Sequence, residues 1–249
     1  MIRVVVAFVI VFAISFDPAG ARLHAQEKRA MLEHVFDAIR ANDPDGLARL
    51  LDSDPALGGR RSGEGLSALS LAAYMERPAL VEIVRERRGT PDFFEACIVG
   101  DASVVRDALA SGQDVDALAP DGFTPLGLAV FFRNPEIARM LIDAGAGVDR
   151  RSANSQQVGP IHAAVARRDL PMVELLLSRG ADPDAAQQDL FRPVHGAAAS
   201  GQAAAVALLA FFGADLSART GDGRSAADLA RAGGHTALAD RLDRTGRPS

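Results

Sequence analysis

An alanine with the same kind of neighbours recurs along nearly the whole chain, and its spacing constrains the fold more than any other feature. The clearest copy is Ala129, in the stretch "LGLAV". The equivalent anchor alanines are Ala38, Ala72, Ala96, Ala129, Ala164, Ala197 and Ala230. Consecutive anchors are 34, 24, 33, 35, 33 and 33 residues apart. A period of this length is typical of solenoid proteins, in which each unit buries its apolar face against the next.

Helix-boundary residues keep fixed distances from the anchors. Thr124 and Pro125 provide an N-cap and a first-turn proline for the helix that contains Ala129. A second apolar stretch follows each anchor, and in four central units it ends on a glycine: Gly112, Gly145, Gly180 and Gly213. A glycine there would stop the second helix in a left-handed cap. Each unit is therefore predicted to be two short helices joined by a turn.

Several stretches carry these positions together. They are "DGFTPLGLAV" at 121–130, "GPIHAAV" at 159–165, "LLLSRGADPD" at 175–184, "RPVHGAA" at 192–198 and "LLAFFGADLS" at 208–217. Together they resemble the ankyrin repeat, with its period of about 33 residues and its "TPLHxA" motif. The resemblance implies an all-α solenoid of stacked helix-turn-helix units, with β-turn fingers along one edge. It covers residues 28–244 as about seven units, of which the first and last are caps.

The chain departs from the repeat pattern in a few places. The 24-residue interval predicts that the finger is missing near 89–92, and the 35-residue interval predicts a longer polar finger at 150–159. Gly127 and Asp228 stand where the histidine of the motif is expected. The last residues, 245–249, are predicted to be disordered.

Composition excludes several classes of protein. A net charge of −5 and a pI of about 5.5 argue against a nucleic-acid-binding protein, which should present a basic face. Cys97 is the only cysteine, so an internal disulfide and a cysteine-based zinc site are excluded, and we expect a small core residue. Lys28 is the only lysine, and this preference for arginine indicates a GC-rich, bacterial genome.

The N-terminus begins with an unbroken apolar run, Val4–Phe16. It is shorter than the roughly 20 residues that a membrane-spanning helix needs. The run is typical of a secretory signal in residues 1–25, with cleavage after Ala21 or Ala25, and predicts a periplasmic or extracellular protein. If it is not cleaved, residues 4–16 are the predicted membrane contact. The alternative is a true start at Met31 and a cytoplasmic protein.

No catalytic constellation is evident in the sequence. His162 and His195 are one repeat apart, so they repeat a structural role, and the ankyrin resemblance implies that each ring bonds to backbone. There is no nucleophile elbow, Gly-rich phosphate loop or HExxH motif. We therefore predict that the protein is not an enzyme and has no cofactor, metal or small-molecule substrate.

Two adjacent rings, Phe131 and Phe132, follow the first helix of the clearest unit. The equivalent pairs in the two preceding units, Tyr74-Met75 and Ile98-Val99, are also large and apolar, whereas the pairs in the later units are small or polar. One interpretation is an exposed stripe on the concave face that docks a partner. The other is that the missing finger lets these side chains pack on one another. We expect Phe132 to be the more buried ring of its pair.

The predicted function is non-catalytic recognition of another protein through the concave helix face and the finger tips. The alternative is a structural or accessory protein that stabilises an envelope enzyme or complex. The partner is an unidentified protein, and the chain is expected to be a monomer. The predicted partner-binding residues are Tyr74, Met75, Ile98, Phe131, Arg151, Arg167, Gln188 and Phe191.

Overall fold

The computed structural model describes residues 18–245. Over this range the chain forms α-helices in antiparallel pairs, without a β-strand beyond two isolated bridges. The helices are α1 (Pro18–Ala41), α2 (Pro44–Ser53), α3 (Ala68–Tyr74), α4 (Pro78–Arg88), α5 (Phe93–Val99), α6 (Ala102–Ala110), α7 (Pro125–Phe131), α8 (Pro135–Asp143), α9 (Pro160–Ala166), α10 (Leu170–Ser178), α11 (Pro193–Ala199), α12 (Ala203–Phe211), α13 (Ala226–Ala232) and α14 (Thr236–Thr245). The predicted all-α solenoid is confirmed.

The odd-numbered helices stack side by side in one row, from α1 to α13, and each even-numbered helix packs behind its own partner. The anchor alanines lie in the stacked row. Ala38 is buried at 8% exposure, and the other anchors have no exposed surface: Ala72, Ala96, Ala129, Ala164, Ala197 and Ala230. Only a small side chain allows such close approach between neighbouring helices, so the periodic alanine follows from the stacking itself.

The helix caps form as the sequence predicts. The Thr124 hydroxyl accepts the Gly127 N–H at 3.0 Å and so caps α7, while Pro125 occupies the first turn. Gly112, Gly145 and their equivalents Gly180 and Gly213 all have φ between 86° and 97°, in the left-handed region that glycine adopts without strain. These caps let the chain leave each outer helix and form the finger that leads to the next unit.

Residues 89–92 connect α4 directly to α5 without a finger. A buried ion pair holds this short connection, because the Arg88 guanidinium contacts the Glu95 carboxylate, which has no exposed surface. Asp92 caps α5 and pairs with Arg61 from the preceding finger. The fingers on either side of the gap close up: a Cβ placed on Gly65 would lie 2.7 Å from the Pro120 carbonyl.

The N-terminal helix starts earlier than the repeat pattern implies. α1 begins at Pro18, so both candidate cleavage sites fall within its first turns. From residue 26 onward, where its side chains are described, Met31 and Leu32 are the first to pack against the core. The apolar run Val4–Phe16 lies outside the described residues, as does the predicted tail apart from Thr245. Within residues 18–245 no helix combines the length and apolarity needed to cross a membrane.

Candidate functional site

A groove of about 750 Å³ runs between the fingers and the stacked odd-numbered helices. Its floor is made of small residues on α7, α9 and α11, among them Gly127, Ala163, Ala166 and Gly196. Its walls are large and mostly apolar: Leu66, Tyr74, Phe123, Phe131, Val158 and Phe191. A concave site with apolar walls and few polar groups has the usual properties of a binding site.

An aromatic cluster forms one end of the groove. The Tyr74 ring centroid lies 6.2 Å from that of Phe123, 6.1 Å from that of Phe131 and 5.2 Å from that of Phe132. These centroid distances are those of favourable aromatic pairs. Tyr74 comes from α3 and the two adjacent phenylalanines from the end of α7, so the cluster bridges α5, the helix that has no finger of its own.

The Tyr74 hydroxyl donates to the Asp121 carboxylate at 3.1 Å, which ties α3 to the finger beyond the gap. Burial, and secondarily the negative charge of Asp121, raise the pKa of this phenol far above its ordinary value. Tyr74 therefore stays protonated and acts as a hydrogen-bond donor. Burial also raises the pKa of the Cys97 thiol to about 12, which makes it a poor nucleophile at neutral pH.

The two motif histidines have structural positions. His162 Nε2 lies 3.2 Å from the Phe191 carbonyl oxygen, and His195 Nε2 lies 3.0 Å from the Ala218 carbonyl oxygen. Burial lowers the pKa of His162 to about 4 and also lowers the pKa of His195. Both rings are therefore neutral at pH 7 and donate to backbone of the following finger, as the repeat pattern implies. Across the described residues no cluster of side chains could hold a metal ion.

Comparison with known proteins agrees with this geometry. Residues 93–187 match a family model described as ankyrin repeats, in three copies. Residues 93–187 carry ankyrin repeats. The chain is also 34% identical over 136 residues to "Ankyrin repeat, SAM and basic leucine zipper domain-containing protein 1" of Colobus guereza. The protein of the same name from Homo sapiens is 33% identical over 134 residues. Each match covers 52% of this chain and 28% of the relative.

The chain thus spans little more than a quarter of the length of these curated relatives. Both relatives are primate proteins, so they lend no support to a bacterial source, which stays a prediction. Ankyrin repeats in general are protein-interaction modules and are typically non-catalytic.

The predicted stripe of apolar side chains is only partly at the surface. Ile98 is 5% exposed, so the expectation that it faces a partner is wrong. The Tyr74 ring of α3 meets the Phe131 and Phe132 rings of α7 across α5, the helix that lacks a finger. Phe131 and Phe132 are both half-buried, and only Phe131 lines the groove. Met75 is half-buried at the end of α3 and lies outside the groove.

Phe191 lines the groove, and Arg167 lies against the Phe131 ring in its wall. Phe191 is half-buried in its wall, with its ring centroid 5.5 Å from that of His195. The Arg167 guanidinium carbon lies 5.0 Å from the centroid of the Phe131 ring, within cation–π range, and Nη1 of the same group donates to Glu76 at 3.0 Å.

Arg151 and Gln188 belong to the fingers. Arg151 is exposed and donates to the Ala186 carbonyl of the next finger at 2.6 Å. Gln188 is exposed beside a second, more polar cavity of about 800 Å³ between the finger tips. These two residues therefore flank the apolar groove without forming its walls.

Sequence reasoning predicted Phe191 but missed three other finger residues that line the groove, Leu66, Phe123 and Val158, although a periodic signal marks all four. The residue six positions before the anchor alanine is Leu66, Phe123, Val158 or Phe191 in the four internal units that have a finger. All four line the groove. Tabulating this offset would have identified them, because each finger returns to its helix with the same geometry.

Proposed function

We propose that the groove recognises another protein, through the concave helix face and the adjacent fingers. The observation that carries this proposal is the groove itself, which is open, apolar and lined by half-buried rings from separate units. Phe131 stands at one end and Phe191 nearer the other. Contiguous accessible apolar surface of this kind is characteristic of interaction sites.

Local packing of the aromatic side chains was the alternative to partner binding, but in this arrangement the packing supports a binding site. Tyr74 holds Phe131 and Phe132 from the side, so the Phe131 ring is positioned before any partner arrives. The small floor residues Ala163 and Ala166 leave room for an incoming side chain. A preformed site loses less conformational entropy on binding than one that must be ordered.

Filling the groove tests this function. Ala166 is exposed at the end of α9 and lines the groove, so Ala166→Trp should block entry without disturbing the core. Ala204 is exposed on α12, away from the groove lining, and Ala204→Trp is the matched control. We expect affinity capture from source cells, read by mass spectrometry, to lose its main partner with Ala166→Trp at least tenfold and to keep it with Ala204→Trp.

The same capture separates the two functional hypotheses. An accessory protein that stabilises an envelope enzyme through its outer surface should keep its partner when Ala166 becomes Trp. Equal thermal melting of both variants serves as the folding control. An unchanged partner set in the Ala166→Trp capture would contradict groove recognition and favour the accessory role.

We also propose that the protein is exported, on the basis of the apolar run Val4–Phe16. N-terminal sequencing of the native protein distinguishes the alternatives. A start at Arg22 or Gln26 indicates cleavage and export, a start at Met1 indicates a retained segment, and a start at Met31 indicates the shorter cytoplasmic form.

A further inference from the structure

We propose that the groove binds an acidic polypeptide segment that inserts one large apolar side chain between the fingers and the helices. This inference rests on the proposed function. Two independent features of the described residues support this class of partner. One is the charge along the rim of the groove, and the other is the shape of its floor.

Three exposed arginines on the rim have no carboxylate partner among the described residues. Arg133 donates to the Arg167 carbonyl, Arg168 donates to the Ser200 carbonyl at 2.8 Å, and Arg151 donates to the Ala186 carbonyl at 2.6 Å. A carbonyl oxygen satisfies an N–H donor but does not neutralise the positive charge. The rim thus keeps an excess of cations on a chain whose net charge is −5.

These charges flank the apolar groove on both sides. Ser200, which receives the Arg168 bond, lines the groove, and Arg167 lies over the Phe131 ring in its wall. On the finger side, Gln187 lines the groove immediately after Ala186. A segment that lies along the groove would therefore pass between cationic groups on each side, which favours carboxylates at both ends of its apolar anchor.

The acidic groups of the groove lie at the end that the aromatic cluster forms. Glu64 and Asp121 line it beside Tyr74, and Asp121 already accepts the Tyr74 hydroxyl. Arg192 in the wall is neutralised by Asp184 at 3.1 Å and by Asp215 at 3.7 Å. The segment's carboxylates are accordingly placed along α9 and α11, between Arg168 on the helix side and Arg151 on the finger side, and away from α3.

The shape of the groove floor determines which apolar side chain the partner can insert. Gly127 replaces the motif histidine, and Gly127, Ala163 and Gly196 line the groove between the Phe131 and Phe191 rings with a methyl group or no side chain at all. An aromatic or long aliphatic side chain fits such a site and would strengthen binding by about ten- to a hundredfold relative to alanine at that position.

A purely structural role for the arginines is the competing explanation. Arg133 and Arg168 bond the C-terminal carbonyls of α9 and α11, where a cation stabilises the helix end. Substitution by glutamine removes the charge and leaves a shorter amide donor, and equal thermal melting of the variant and the wild type shows that the repeats still stack. The triple variant Arg133→Gln, Arg151→Gln, Arg168→Gln therefore separates partner attraction from inter-repeat bonding.

The test is a selection of random twelve-residue peptides displayed on phage against the full chain. We expect enriched peptides to carry one aromatic or long aliphatic residue flanked by Asp or Glu, and to lose binding at least tenfold on Ala166→Trp.

Fluorescence anisotropy of one selected peptide should show about two- to fivefold weaker binding per arginine replaced, with a shallower salt dependence. The double variant Arg106→Gln, Arg139→Gln, at two exposed arginines of the outer helices α6 and α8, is the control and should bind as the wild type does.

Peptides that depend on the groove but show no acidic excess, or that bind the triple arginine variant unchanged, would overturn this inference and leave groove recognition standing. Failure to select any peptide that Ala166→Trp blocks would overturn both. Equal competition by a random single-stranded DNA oligonucleotide would indicate a general polyanion surface and would also overturn the assignment to an acidic peptide.

Discussion

At the scale of single residues, side chains at the motif positions stabilise the fold, whereas residues that depart from the motif shape the groove. His162 and His195 bond the backbone of the next finger, so the array uses histidine as a buried neutral donor. Where Gly127 replaces the histidine, the groove gains depth in place of that bond. The sequence was sufficient to predict the histidine role, because the 33-residue spacing of the pair already argued against a shared catalytic site.

The buried histidine predicts a specific pH dependence of stability. His162 is 6% exposed, and its pKa of about 4 lies below the value of about 6.5 expected in the unfolded chain. The unfolded state therefore binds the proton first, and the stabilisation present above pH 6.5 is lost as the pH falls towards 4. This loss amounts to about 3 kcal/mol for the single group.

His162→Gln removes this titration, so urea unfolding of the wild type should lose more free energy between pH 7 and pH 4 than the variant does. The variant itself starts lower at pH 7, because it loses the bond to Phe191. If the two curves of unfolding free energy against pH run parallel, the neutral buried ring is not the source of the dependence.

At the scale of elements, the missing finger shows what spacing can and cannot predict. The 24-residue interval was enough to place the gap at 89–92, because a finger needs a fixed length of chain. The ion pair that fills the gap was not predictable. Arg88 belongs to the basic run in the last turn of α4, where the negative end of the helix dipole already accounts for a positive charge. Nothing in the sequence pattern therefore linked Arg88 to Glu95 on the next helix. Burial of Ile98 was not predictable either, since it depends on the packing of neighbouring helices around α5.

This pair yields a stability prediction. Glu95→Gln should destabilise the protein by about 3 kcal/mol, because it leaves the Arg88 charge buried without its counter-charge. Glu82→Gln, which breaks the exposed pair with Arg85, is the control and should cost less than about 0.5 kcal/mol. Chemical denaturation gives both values.

The outcome for Glu95 has a further check. Combining Glu95→Gln with Arg88→Met should recover part of the lost free energy of unfolding, since it removes the unpaired charge as well. A Glu95→Gln variant as stable as the Glu82→Gln control would show that the ion pair does not hold the shortened connection.

At the scale of the whole molecule, the groove exists only because the units stack. Tyr74, Phe131 and Phe191 come from different units and meet around one space because each unit repeats the geometry of the last. The stacked array was predictable from the period alone. For the groove, its place on the concave helix face was predictable, but most of the residues in its walls were not. Its walls depend on which fingers are present and on how the neighbours of the missing finger close up.

The central claim is that a partner protein occupies this groove, and site-specific photocross-linking tests it most directly. A benzophenone amino acid at Ala166 reports on the groove, and the same group at Ala204 reports on the exposed outer helix α12. We predict that irradiation of source cells gives one discrete protein adduct from position 166 and not from position 204. An adduct of the same partner from position 204, with none from position 166, would contradict the account.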